Sequence, residues 1–117
     1  MAFNFFHPPE DALPPEETRF LEARIEPWPD GKRIRIHVAI TPFQKKPDLV
    51  AQIFDSTGRL VTRADILETM DNRLVFTMHL RGDDILPPFR LEIGMGYQDI
   101  GQVDLRIVDF NVNETQE

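Results

Sequence analysis

KRIRIHVAIT, Lys32 to Thr41, puts Ile34, Ile36, Val38 and Ile40 on one parity and Arg33, Arg35, His37 and Thr41 on the other. Successive side chains of an extended chain point to opposite faces, so this spacing predicts a half-buried β-strand. NRLVFTMHLR, Asn72 to Arg81, repeats it with Leu74, Phe76, Met78 and Leu80 inward, and FRLEIGM does so with Phe89, Leu91, Ile93 and Met95. Weaker strands are predicted over Phe20–Glu26, Leu49–Phe54, Leu60–Ile66 and Gln102–Val112. In the last, Val103, Leu105 and Ile107 share one parity and Val108, Phe110 and Val112 the other, which predicts a bulge near Ile107–Asp109.

No stretch shows a convincing apolar period of 3.6, and Pro, Gly and Asp turns separate the strands. The prediction is an all-β, antiparallel β-sandwich of about seven strands. The pattern resembles an immunoglobulin-like or fibronectin-type-III-like domain over residues 18–112, with the strands in the order A, B, C, C′, E, F, G. The cysteine pair of antibody-type domains is absent, and Trp28 lies between Pro27 and Pro29 rather than mid-strand. An eight-stranded sandwich of the C2 type is the alternative if the N-terminal region supplies a strand.

With 117 residues the chain matches one domain with a core of its own. It lacks cysteine, so disulfides and thiolate zinc sites are excluded. Its start has neither the basic onset nor the apolar run of a signal peptide, and a cytoplasmic protein is expected. The net charge is −7 and sits mostly in the tails, at Glu10, Asp11, Glu16 and Glu17 and at Glu114 and Glu117. An acidic chain without a basic stripe argues against nucleic acid or an anionic membrane as partner. Residues 1–17, with Phe3, Phe5 and Phe6 before Pro8-Pro9 and Pro14-Pro15, are read as an arm, and residues 113–117 as a polar tail. Disordered segments are poor in aromatics, so the arm is expected to dock as a short edge strand or to join two chains as a homodimer.

The run Asp55-Ser56-Thr57-Gly58 raises the question of catalysis. An aspartic protease places its glycine two residues after the aspartate and needs a second carboxylate from a matching half; here the glycine comes one residue later, without a second copy. The residues suit a hairpin turn instead, with Asp55 accepting backbone amides and Gly58 in the left-handed region. Gly94, Gly96 and Gly101 do not have dinucleotide-loop spacing, and Arg81-Gly82-Asp83, Gly82-Asp83-Asp84 and the sequon Asn113-Glu114-Thr115 each lack their context. Ser56 is the only serine and sits in a turn, whereas His37 and His79 project from mid-strand, so no triad and no enzyme is expected. His37 and His79 would form a cross-strand pair if strands B and E register them together, but a third zinc ligand is not evident.

Two clusters of loops remain. One end of the sandwich gathers Asp30, Asp55, Asp83 and Asp84, the raw material of a calcium-dependent, C2-like module, although ordinary turns use the same residues. The other end presents Phe43, Lys45, Lys46, Met70, Tyr97 and Ile100, a composition typical of protein-binding surfaces, unless Phe43 and Ile100 turn inward as lids. The favoured expectation is a non-enzymatic protein–protein interaction module without a cofactor; the calcium module is the rival.

Overall fold

The structure, a computed structural model, describes residues 8–112. Seven strands follow a 3-10 turn at Pro15–Glu17: β1 (Phe20–Pro27), β2 (Arg33–Ile40), β3 (Asp48–Phe54), β4 (Leu60–Ile66), β5 (Arg73–His79), β6 (Phe89–Tyr97) and β7 (Gly101–Phe110). They form two antiparallel sheets, β1-β2-β5 and β4-β3-β6-β7, packed face to face as an immunoglobulin-like sandwich. All seven strands lie where the alternation put them, to within two residues at each end. Phe3, Phe5 and Phe6 lie outside the described residues, as does the polar tail.

Ile34, Ile36, Val38 and Ile40 from β2 meet Leu49, Ala51 and Ile53 from β3 and Phe89, Leu91, Ile93 and Met95 from β6, all buried. Phe76 departs from expectation, being only partly buried against that core. It pairs with Ile36 from β5, the outer strand of its sheet, so one flank has no neighbouring strand to cover it.

β7 departs from the predicted bulge. The register runs evenly from Phe89↔Phe110 to Met95↔Asp104 and shifts only at Met95/Gly96, which leaves Val103 as the extra residue. Leu105 and Ile107 therefore face solvent, while Asp104 and Arg106 take the inward parity opposite Met95 and Ile93. Gly96 permits the shift, because a Cβ there would lie 2.8 Å from the Gly101 carbonyl oxygen.

The chain before β1 is tied to the sandwich from Ala12 onward. The Leu13 amide donates to the Pro42 carbonyl and the Gln44 amide to the Leu13 carbonyl, each at 2.9 Å, forming a parallel bridge beside Phe43. The Gln44 side chain adds a bond to the Ala12 carbonyl at 3.0 Å, and Ala12 and Thr18 are buried. At the opposite end the β1–β2 hairpin closes on Trp28, whose amide donates to the Arg33 carbonyl at 2.9 Å. The Arg33 guanidinium lies 4.0 Å from the Trp28 ring centroid, a cation–π contact that anchors the otherwise exposed turn.

Candidate functional site

The topology brings together at one end the loops β2–β3 (41–47), β4–β5 (67–72) and β6–β7 (98–100). Two of the six expected surface residues belong to the core. Phe43 is 3% exposed and Tyr97 4%, because an open sandwich end needs apolar lids over the last layer of core side chains. The Tyr97 hydroxyl donates to the Lys45 carbonyl at 2.8 Å and lies 3.3 Å from the Thr18 hydroxyl, which itself donates to the Pro14 carbonyl at 3.0 Å. Burial pushes the phenol above its ordinary pKa, so it acts as a neutral hydrogen-bonding strut.

On this frame the outward residues are Lys45, Met70 and Ile100, with Lys46 half-buried. Lys45 Nζ lies 3.3 Å from Asp99 Oδ2 and 5.7 Å from the Tyr97 ring centroid, linking the β2–β3 loop to the β6–β7 turn. Met70 is 56% exposed and Ile100 43%, and Leu67, which the loop composition did not single out, is 70% exposed. The β4–β5 loop that carries Leu67 and Met70 is fixed from beneath. The Glu68 amide donates to Asp48 Oδ1 at 2.8 Å and the Thr69 amide to the Pro47 carbonyl at 3.0 Å. Glu68, between Leu67 and Met70, holds φ at +50°, a left-handed conformation that costs a residue with a Cβ. The sequence signal for Leu67 was its apolar side chain immediately after β4, inside the loop.

At the acidic end the four aspartates do not converge. Asp30 accepts from the Lys32 amide at 2.9 Å and pairs with Arg33 within its own hairpin. Asp55 is nearly inaccessible and turns inward, where Oδ1 accepts from the Thr57 hydroxyl at 2.6 Å, the Thr57 amide at 2.9 Å and the Arg59 amide at 3.1 Å. These bonds, the Thr57 hydroxyl first, hold its pKa down to about 2 against the opposing effect of burial. The Arg59 guanidinium then bridges to Asp84 at 3.1 Å, so a cation already occupies the space between Asp55 and Asp84. Asp83 is exposed. Among the described residues no three His, Cys, Asp or Glu side chains come together to hold a metal ion. Asp55 thus accepts hydrogen bonds from its own hairpin through Oδ1 and from the Leu86 amide, at 3.4 Å, through Oδ2.

His37 and His79 are likewise apart in register: His37 faces Val75, and His79 faces Arg33. His37 Nε2 lies 2.9 Å from Glu26 Oε1 instead. Ser56 lines an open groove of about 600 Å³ with Phe54, Pro88, Arg90 and Asp109, and no histidine is among the lining residues described. The turn itself is as expected: the Asp55 amide bonds the Arg59 carbonyl, and Gly58 has φ +88°.

No family profile matches the chain, and no curated protein does. Solved structures do. A glycosyl hydrolase family 2 (GH2) member from Bacteroides cellulosilyticus aligns with TM-score 0.61 and 16% identity over 81% of this chain and 14% of its own. A β-glucuronidase from Ruminococcus gnavus aligns with TM-score 0.53 and 10% identity over 82% of this chain and 16% of its own. The β-glucuronidase of Lactobacillus rhamnosus gives TM-score 0.53 and 12% identity, again over 82% and 16%. This chain thus spans less than a fifth of the length of these enzymes. At such identity the likeness is one of fold, a sandwich segment within a larger chain.

Proposed function

We propose that this chain is a non-enzymatic interaction module that binds another protein through the loop end carrying Leu67, Met70, Ile100 and Lys45. The observation that carries the reading is the exposure of Leu67, Met70 and Ile100 on loops whose backbone is pinned from below by Tyr97, Asp48 and Pro47. Large apolar side chains held on a preorganised frame lose little entropy on binding, which favours a protein partner. The lysine and acidic residues around them supply a polar rim. The likeness to sandwich segments of larger enzymes accords with a module that works beside another body rather than by its own chemistry. A cysteine-free chain suits the reducing cytoplasm, where we place it.

The test is affinity capture with the wild-type chain and with Leu67→Glu/Ile100→Glu, followed by titration of the captured protein after purification. The expected result is a Kd raised by about tenfold or more in the double variant while its melting temperature stays within about 2 °C. Equal binding by the two chains places the contact elsewhere on the sandwich.

A further inference from the structure

Between the β2–β3 and β4–β5 loops lies a pocket of about 140 Å³, lined by Pro9, Pro42, Phe43, Met70, Asp71 and Asn72. Its lining is apolar at Phe43, Pro9, Pro42 and Met70, with Asp71 and Asn72 as the polar members. An apolar cavity of about 150 Å³ is large enough to take a benzene ring. Met70 suits that ligand, because a polarizable, unbranched thioether adapts its shape to an aromatic edge. The pocket therefore fits one phenyl group.

The chain supplies such groups next to it. Pro9 lines the pocket, and the segment before it, Met1 to His7, contains Phe3, Phe5 and Phe6. At about 3.3–3.6 Å per residue, Phe6 is tethered within about 10 Å of Pro9 and Phe5 within about 14 Å. A tether of that length sets an effective concentration in the millimolar range, far above that of a second copy at micromolar protein. The tether decides between an intrachain and an interchain occupant. We propose that the chain's own N-terminal segment fills this pocket with one of Phe3, Phe5 or Phe6, covering Phe43 and Met70. Met70 is shared with the partner surface proposed above, whereas Leu67, Ile100 and Lys45 are outside the pocket lining, so a filled pocket leaves those three to a partner and the two readings are tested by different variants.

Methionine-methyl NMR tests it, because Met70 reports on the pocket while Met78 and Met95, buried in the core, report on the fold. The spectra compare the wild type with Phe3→Ser/Phe5→Ser/Phe6→Ser. In the wild type the Met70 methyl is expected upfield of its random-coil position, with contacts to phenyl protons. In the triple variant it returns to the random-coil position while Met78 and Met95 do not move. Single substitutions then name the phenylalanine. A Met70 methyl that resonates identically in the two proteins overturns the proposal. So does an upfield displacement that grows with protein concentration and accompanies a dimeric mass, since the occupant would then be the segment of a second copy.

Discussion

Arg106 on β7 reaches across the sandwich and donates from Nη2 to the Phe20 carbonyl at 2.7 Å. Two residues earlier, Asp104 Oδ2 accepts from the Phe20 amide at 2.8 Å. The register of β1 on β2 shifts just after Phe20, and the amide and carbonyl of this residue are met by side chains of the other sheet. Asp104→Ala and Arg106→Ala should each cost about 1–3 kcal/mol in urea denaturation, because each leaves a part-buried backbone group unpaired. The double variant should lose less than the sum, as expected for one network. If both single variants stay within about 0.5 kcal/mol of the wild type, the clamp has no structural weight.

Asp55 makes stability depend on acid. Its folded pKa, about 2, lies below the ordinary 3.8, so its contribution is fully present above the unfolded value and is lost as pH falls through the folded one. The melting temperature should fall steeply between about pH 4 and 2, and Asp55→Asn should flatten that fall while lowering stability at neutral pH. Asp65, lowered by Arg63, and Asp84, lowered by Arg59, keep part of the slope in the variant. Parallel pH profiles for the two proteins would contradict the role given to Asp55.

Ile36 and Phe76 face each other across β2 and β5 yet should respond unequally. Ile36 is fully inaccessible, and Ile36→Ala should cost about 2–5 kcal/mol. Phe76 is only partly buried on an outer strand, so Phe76→Ala should fall below the ~3–5 kcal/mol typical of a fully enclosed phenylalanine. Denaturation midpoints that rank the two the other way would mean that the β5 flank is covered in solution.

What could be read from the sequence follows from where alternation is enforced. β2 and β6 carry clear period-two patterns because each has a strand on both sides and one face on the core, and β5 repeats the pattern from an outer position beside β2. β7 misled because its inward positions 104 and 106 hold an aspartate and an arginine. They face the β1 backbone at the sandwich edge, where polar side chains are useful, and Leu105 and Ile107 then mimic a core parity. Phe43 and Tyr97 were assigned to the surface because they lie in or beside loops, whereas a lid is distinguished from a loop residue only by what it covers. Asp55 was legible as a turn residue, whereas its burial under the Thr57 and Leu86 hydrogen bonds was not, because those depend on how the hairpin folds back.

Gly58 tests the turn by backbone alone. Its φ is +88° and nothing lies within 4 Å of a Cβ built there, so Gly58→Val meets a conformational penalty without a clash. The expected cost is about 1–2 kcal/mol. Ser56 takes part through its amide, which donates to the Leu86 carbonyl at 2.8 Å, so Ser56→Ala should stay within about 0.5 kcal/mol of the wild type. A large loss of stability on Ser56→Ala would assign its hydroxyl a role that the hairpin does not require.

Tyr97→Phe separates the strut from the lid. The ring stays and continues to cover the core, while the hydroxyl bonded to the Lys45 carbonyl at 2.8 Å is removed. Losing it should cost about 1–2 kcal/mol, since the Lys45 carbonyl must then find another donor. The distinguishing measurement is hydrogen exchange at the Gln44 amide, which donates to the Leu13 carbonyl at 2.9 Å in the same loop. If the hydroxyl holds the β2–β3 loop in place, exchange there should accelerate by more than global destabilisation accounts for, while amides of β3 follow the global change. Partner affinity should weaken with it, because Lys45 then loses its fixed position beside Asp99 and the Tyr97 ring. A uniform rise in exchange across loop and strand would instead make Tyr97 a core residue and nothing more, and would remove the preorganisation on which the proposed surface depends.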